Sequence, residues 1–448
     1  MDLTKLEASL DDKLRSRNVA MGAVFEKNNE VEVANEEYDK SLSNFYIKHS
    51  RQYFIEDYSG NKYIDTSLGA GTHIFGHGFI NEVIGDQLKN GTLFTVPCAY
   101  PYEVAGAINR MVPHLTHFVF CNSGSEATMR AARIARAYSK KRKIALFSGG
   151  WHGAIDVLLF EDDTASPQEH PRATFKSLGM LEELRDTVIL LPYNSPAAFD
   201  IIKASARELA MVIIEPSQGS NPRADMSQFL TELRDITIQN DVLLCFDEVI
   251  TGFRIKAGGC QEYYNIEADI VTYGKTVGGG LPIGVVAGKP AVMAAVKGSG
   301  PKQQPVFMGG TFSANPLVMH VARAVLNRLN EQKETVYREL NENGENLRDL
   351  VNRFCIDNDI PVRMTGIGSM SRILFTDKAV GSRRDRDNFE LDPFVQAVFF
   401  KYLLLEYGIF VNKNRIMFLS TAHNRQTVNL IGSGINDALK FFRAHAYL

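Results

Sequence analysis

The sequence predicts an α/β protein: a large domain on an open, mostly parallel sheet with helices on both faces, joined to a smaller α+β domain. Three observations lead there. Short β-branched runs alternate with helical stretches through the middle of the 448-residue chain. These runs are apolar almost continuously rather than at every second residue, the pattern of strands buried on both faces. Past Asn315-Pro316 the alternation stops, and helices with a few short strands follow. In sheets of this kind functional residues gather beyond the carboxyl ends of the strands.

Taken in order, Leu3, Leu6, Leu10 and Leu14 recur at helical spacing and predict an amphipathic helix packed on the body or on a partner subunit. "FIEDYSGNKYID" (54–65) predicts a hairpin turned at Ser59-Gly60-Asn61. "HFVFCN" (117–122) reads as a strand, followed by a helix from about Glu126 to Tyr138. Further strands are expected at 143–149, 187–193, 211–216, 242–248 and 269–274. After Pro316 a single long amphipathic helix is expected to about residue 355, then "SRILFTD" (371–377) and the short strands "GIFVN" and "RIMFLS". The charged stretch "GSRRDRDNFELD" (381–392) is expected to be an exposed loop. The expected domains are a segment 1–65 that contributes to the small domain and to dimer contacts, a large domain 66–325 and a small α+β domain 326–448.

A net charge of −3 gives no reason to expect a nucleic-acid partner. The basic run "KKRK" (140–143) reads as the solvated end of a helix. The N-terminal segment carries acids and lacks an apolar core, so no signal peptide is expected, and no apolar run approaches a membrane span. Cys98, Cys121, Cys245, Cys260 and Cys355 are scattered and never form CxxC, which suggests reduced thiols in a cytoplasmic enzyme and no metal site. His73 and His77 have HxxxH spacing, but no third ligand accompanies them, and they are expected to shape a loop.

Three stretches could carry chemistry. In "CNSGSEATMRAARIARAY" (121–138), Ser123 and Glu126 fit a capping box, Gly124 permits a tight turn and Ser125 adds a hydroxyl. Free N–H groups at such a helix start suit a phosphate. In "VLLCFDEVITGFR" (242–254), Asp247 stands at the end of an apolar strand, where an unpaired carboxylate would be costly. In "DIVTYGKTVGGGLPIG" (269–284), Lys275 follows a glycine, yet a P-loop would need glycine where Asp269 stands. A phosphate-binding helix start, a strand-end aspartate and a glycine-flanked lysine supply together what pyridoxal phosphate needs: a phosphate seat, a partner for the ring nitrogen and a Schiff-base amine.

"NSGSEATMRAARIARAY", "WHG", "IIEPSQG", "DEVITGFR", "YGKTVGGGLPIG" and "GGTFSANP" together resemble class III pyridoxal-phosphate aminotransferases of fold type I, in the branch that contains glutamate-1-semialdehyde 2,1-aminomutase. The resemblance implies a mostly parallel seven-stranded sheet in the large domain. It makes Lys275 the covalent lysine and proton shuttle and Asp247 the partner of the ring nitrogen. It sets Trp151 and Val249 on the two faces of the ring, with Glu215 ordering the site beside it. Ser123, Gly124 and Ser125 would bind the phosphate, and Thr311 would reach the cofactor of the neighbouring subunit in a homodimer.

Three departures bear on substrate. Where the aminomutase carries a carboxylate-holding arginine, this sequence has Asn35; its tryptophan before "GH" is Ala70 here, and its acid near the C-terminus is Arg415. Arg415 is the candidate for a relocated carboxylate anchor, with Lys413 a weaker one. The expected function is transamination from an amino-acid donor to an oxo acid, aldehyde or ketone, by a ping-pong route. The alternative is an intramolecular aminomutase, and a weaker one is a cofactor-binding protein without turnover.

Overall fold

The computed structural model describes residues 2–17, 42, 45–297 and 304–448. The chain forms two compact units. One comprises Met1–Phe79, Glu339–Ala379 and Asp387–Leu448, and the other Ile80–Arg338 and Val380–Arg386.

The second unit is built on a seven-stranded sheet. In spatial order its strands are His117–Cys121, Gly284–Gly288, Ile270–Tyr273, Leu243–Asp247, Leu209–Ile214, Lys143–Phe147 and Val188–Leu191. All run parallel except Gly284–Gly288, which is antiparallel to both its neighbours. Every residue of Leu209–Ile214 and of Ile270–Tyr273 is buried, as their uninterrupted apolar sequences require. The helix Gly124–Ser139 lays Ala127, Ala131 and Ala135 against the core at four-residue spacing, small side chains that let it approach closely. It ends at Lys140, whose left-handed backbone (φ 60°) turns the chain into the strand that begins at Lys143, so "KKRK" spans a cap and a strand start.

The first unit gathers the N-terminal helix Leu3–Arg17, with Leu6, Leu10 and Leu14 buried, onto the helices Pro393–Tyr407 and Arg425–Ala444. The hairpin Phe54–Asp57 and Lys62–Asp65 is present and pairs in parallel with Ile409–Phe410. Gly60 takes φ 85° at its turn. His77 Nε2 lies 2.7 Å from Asp65 Oδ2, and among the described residues no group of His, Cys, Asp and Glu could hold a metal.

Three local expectations change. The single helix after Asn315-Pro316 is two, Pro316–Glu331 and Lys333–Asp357, divided at Gln332. Gly284–Gly288 is a central strand although glycine stands at both its ends. The stretch from Gly381 is not an exposed loop. Arg383–Phe389 is helical, and Ser382 and Arg386 are buried.

Candidate active site

The carboxyl ends of the parallel strands converge the predicted residues within the second unit. Ser123 follows His117–Cys121 in an extended conformation, and its Oγ accepts from the Glu126 N–H at 3.1 Å. The returning half of the capping box falls one residue early, because the Glu126 carboxylate accepts from the Asn122 N–H at 3.3 Å. The N–H groups of Gly124 and Ser125 begin the helix and have no carbonyl one turn back. They sit at the positive end of a 16-residue helix dipole.

Glycines make this corner tight. A Cβ on Gly124 would lie 2.9 Å from Val249 Cγ1, and one on Gly153, which has φ 91°, would lie 2.4 Å from Ser125 Oγ. A Cβ on Gly274 would also meet Val249, at 3.3 Å. Val249 is therefore wedged between the helix start and the residue before Lys275. Ser125 Oγ accepts from the Ala154 N–H at 3.1 Å, tying the helix start to the loop after Trp151.

That loop is held by a buried acid. Glu215 accepts from the Trp151 N–H at 2.9 Å and from the Gly219 N–H at 3.0 Å. Burial pushes its carboxyl above the usual carboxylate range; His152 pulls it back and the nearby Asp247 adds to the rise. The Trp151 side chain remains 44% exposed.

Asp247 ends the strand Leu243–Asp247 and is buried. His152 Nδ1 lies 2.7 Å from one carboxylate oxygen. The other accepts from Thr272 Oγ1 at 3.0 Å and from the Val249 N–H at 3.2 Å. Neither His152 nor Thr272 was among the residues the sequence singled out. "WHG" drew attention to His152 without indicating its partner, and Thr272 carried no sequence signal, because only the sheet order sets it opposite Asp247 on the next parallel strand. Lys275 stands three residues beyond Thr272, opening the short 3₁₀ turn Lys275–Gly278 with φ 41°, left-handed backbone that a lysine seldom adopts.

Thr311 and Arg415 are the remaining predicted residues. Thr311 is exposed on a turn that Arg130 of the helix Gly124–Ser139 secures, donating to Gly309 O at 3.1 Å and Ser313 Oγ at 3.3 Å. Arg415 belongs to the other unit, where it donates to Gln396 Oε1 and to Pro393 O and lies 5.9 Å over the Phe400 ring. Asn35 lies outside the described residues.

The second unit's residues fit pyridoxal phosphate. A helix start with free N–H groups and no room for a side chain suits the phosphate. A buried carboxylate fixed by several donors suits the ring nitrogen, and beside it His152 Nε2 is buried without a partner. Lys275 supplies the amine.

A family model described as aminotransferase class-III matches residues 34–399. The glutamate-1-semialdehyde 2,1-aminomutase of Persephonella marina is 36% identical over 394 residues, covering 86% of this chain and 89% of that protein. The one from Methanosphaera stadtmanae is 34% identical over 401 residues, with coverage of 88% and 91%. Among solved structures, an omega-transaminase from Sphaerobacter thermophilus superposes with a TM-score of 0.84 at 30% identity, over 95% of this chain and 98% of that one.

Proposed function

Since the chain belongs to the class-III aminotransferases, enzymes that work with pyridoxal phosphate, we propose that it moves an amino group between two carbons of one amino-oxo acid, an intramolecular aminomutase reaction. The observation that carries this reading is the naming of both curated relatives, at 34% and 36% identity over most of each chain, as aminomutases. It favours the alternative over the two-substrate transamination that the sequence put first. Transamination is kept as a second reading because of the 30% identical omega-transaminase and the departures at Asn35, Ala70 and Arg415.

When bound, the cofactor supplies an electron sink for the pair left behind as a proton leaves the amine-bearing carbon. The chain's residues do the rest. The N–H groups of Gly124 and Ser125 and the seryl hydroxyls hold the phosphate. Trp151 and Val249 bound the ring, and Glu215 fixes the Trp151 backbone. Asp247 holds the proton at the ring nitrogen, oriented by His152, Thr272 and the Val249 N–H. Lys275 Nζ would anchor the cofactor and, once released, take the proton from the amine-bearing carbon and return it at each transfer. In a homodimer Thr311 adds a contact to the partner's phosphate, and Arg415 is assigned to a substrate carboxylate. A reducing cytoplasm suits the free thiols of Cys98, Cys121, Cys245, Cys260 and Cys355.

Two measurements test this. Borohydride treatment of the holoenzyme should leave a cofactor-derived mass on Lys275, absent in Lys275→Ala; a mass on another lysine refutes the assignment. Incubated with glutamate-1-semialdehyde and no donor, the holoenzyme should move the amino group from carbon 2 to carbon 1. A strict need for a separate donor, with release of an oxo product, would replace the intramolecular reading by transamination.

A further inference from the structure

Trp151 is the only tryptophan in the chain, and its backbone is held from several sides. Its N–H donates to Glu215 at 2.9 Å, and the carbonyl of the next residue, His152, accepts from Thr128 Oγ1 at 2.6 Å. The Ala154 N–H donates to Ser125 Oγ at 3.1 Å, and Gly153 before it takes φ 91°. The side chain has no such restraint. It is 44% exposed, and among the described residues the indole makes no hydrogen bond and no ring–ring contact. What it does meet is a cation: Lys176 Nζ lies over the ring, 4.9 Å from its centroid.

Lys176 stands on a firm base. It follows Ala173–Phe175, which pairs with Phe160–Asp162 as a two-stranded ribbon, and its N–H donates to Leu159 O at 3.3 Å. The rings of Phe160 and Phe175 meet at 5.3 Å, and the Arg185 guanidinium lies 4.6 Å over Phe175. Among the described residues the Lys176 ammonium makes no hydrogen bond and no ion pair. Burial first, and then the charge of Arg383, lower it below the usual lysine range, while Glu161 and Glu215 pull it back up. A cation that has lost part of its water gains more from an aromatic face than a fully hydrated one.

We propose that Lys176 is a positioning residue: its ammonium on one face of the indole holds Trp151 so that the opposite face is ready to stack on the cofactor's pyridine ring. The proposal rests on the placing of Trp151 beside that ring in the reading above. The backbone bonds fix where Trp151 leaves the chain, but they leave both side-chain torsions to aim the indole. An indole already aimed loses less freedom when the cofactor binds, so affinity rises without any new contact to the cofactor. Lys176 acts on the cofactor only through Trp151.

As the sole tryptophan, Trp151 reports on itself. Time-resolved fluorescence anisotropy of the full chain, excited where tyrosine does not absorb, follows the ring before cofactor is added. Quenching of the same emission during a titration with pyridoxal phosphate gives the dissociation constant. In Lys176→Met, which keeps a long apolar stem, the picosecond-to-nanosecond motion of the indole should grow. The dissociation constant should rise about 3- to 30-fold, the range of a cation–π contact. Lys176→Arg, whose guanidinium also stacks on aromatic faces, should restore both. A lysine that only stabilised the ribbon would lower the urea midpoint of Lys176→Met and leave the ring motion unchanged; that result overturns the proposal and leaves the placing of Trp151 standing. A ring set free with cofactor affinity equal or tighter overturns it too, since the cation would then do nothing for the stacking face. If wild type traps the cofactor on Lys275 yet its emission does not change, Trp151 does not adjoin the cofactor, and its placing and the proposal fall together.

Discussion

Asp247 illustrates how a single carboxylate is made specific by neighbours distant in sequence. His152 lies 95 positions away and Thr272 25 positions away, yet both meet the same side chain. The aspartate itself was legible, because an acid at the end of an apolar strand needs a reason to be there. Its partners were not, because the sheet order that joins strands at 243–247 and 270–273 is a tertiary fact. Thr272→Val keeps the β-branched shape suited to the strand and removes only the donor at 3.0 Å. A hydrogen bond to a charged group contributes about 1.5 kcal/mol or more, so cofactor affinity should weaken roughly tenfold. Equilibrium dialysis against pyridoxal phosphate measures this directly. An unchanged affinity would mean that His152 and the Val249 N–H suffice to orient Asp247.

Among the elements, the seven-stranded sheet was the most legible, since its buried strands are long apolar runs with few competing interpretations. The strand Gly284–Gly288 escaped because glycine weakens a strand pattern. It is selected here by close approach: a Cβ on Gly284 would lie 2.0 Å from Ser123 O. The helix Arg383–Phe389 escaped because carbonyls more than 150 residues earlier hold its arginines. The short helix Gly259–Tyr264 shows another long-range device. Its first amides at Cys260 and Gln261 donate to Glu248, at 2.7 and 3.2 Å, with Gly259 at φ 69° leaving space for the carboxylate. Burial pushes the Glu248 carboxyl up to about 7, although these amides and Thr251 pull it down. The folded value lies above the ordinary 4.5, so the neutral acid is favoured in the fold. Its stabilising contribution is full below about pH 4.5 and is lost as pH rises through about 7. Urea unfolding of wild type and Glu248→Gln should therefore differ in slope between about pH 5 and pH 7, by close to one linked proton. Parallel pH profiles would show that Glu248 does not titrate in that window.

At the scale of the whole molecule, the remaining question is how many chains complete one site. Thr311 lies exposed between Phe307 and Phe312, themselves 75% and 61% exposed, while Val96 and Tyr102 are 69% and 75% exposed. Exposed apolar side chains in such numbers suit a protein interface better than a wet surface. Arg130 links this turn to the helix Gly124–Ser139, so a partner docking on it would be coupled to the helix start. If two copies exchange Thr311 in this way, light scattering should give twice the 49.9 kDa chain mass. A sharper test uses complementation. Lys275→Ala lacks the covalent lysine, and Thr311→Ala, assayed at limiting cofactor, lacks the contact donated to its neighbour. Neither homodimer then has a complete site. In a mixed dimer, the subunit that retains Lys275 receives Thr311 from the other, so one of its two sites is whole. Random reassociation of equal amounts should make half the dimers mixed and restore about a quarter of wild-type activity. Recovery requires that Thr311 act across the interface, because a threonine serving its own subunit's cofactor would leave every mixed site lacking either it or Lys275.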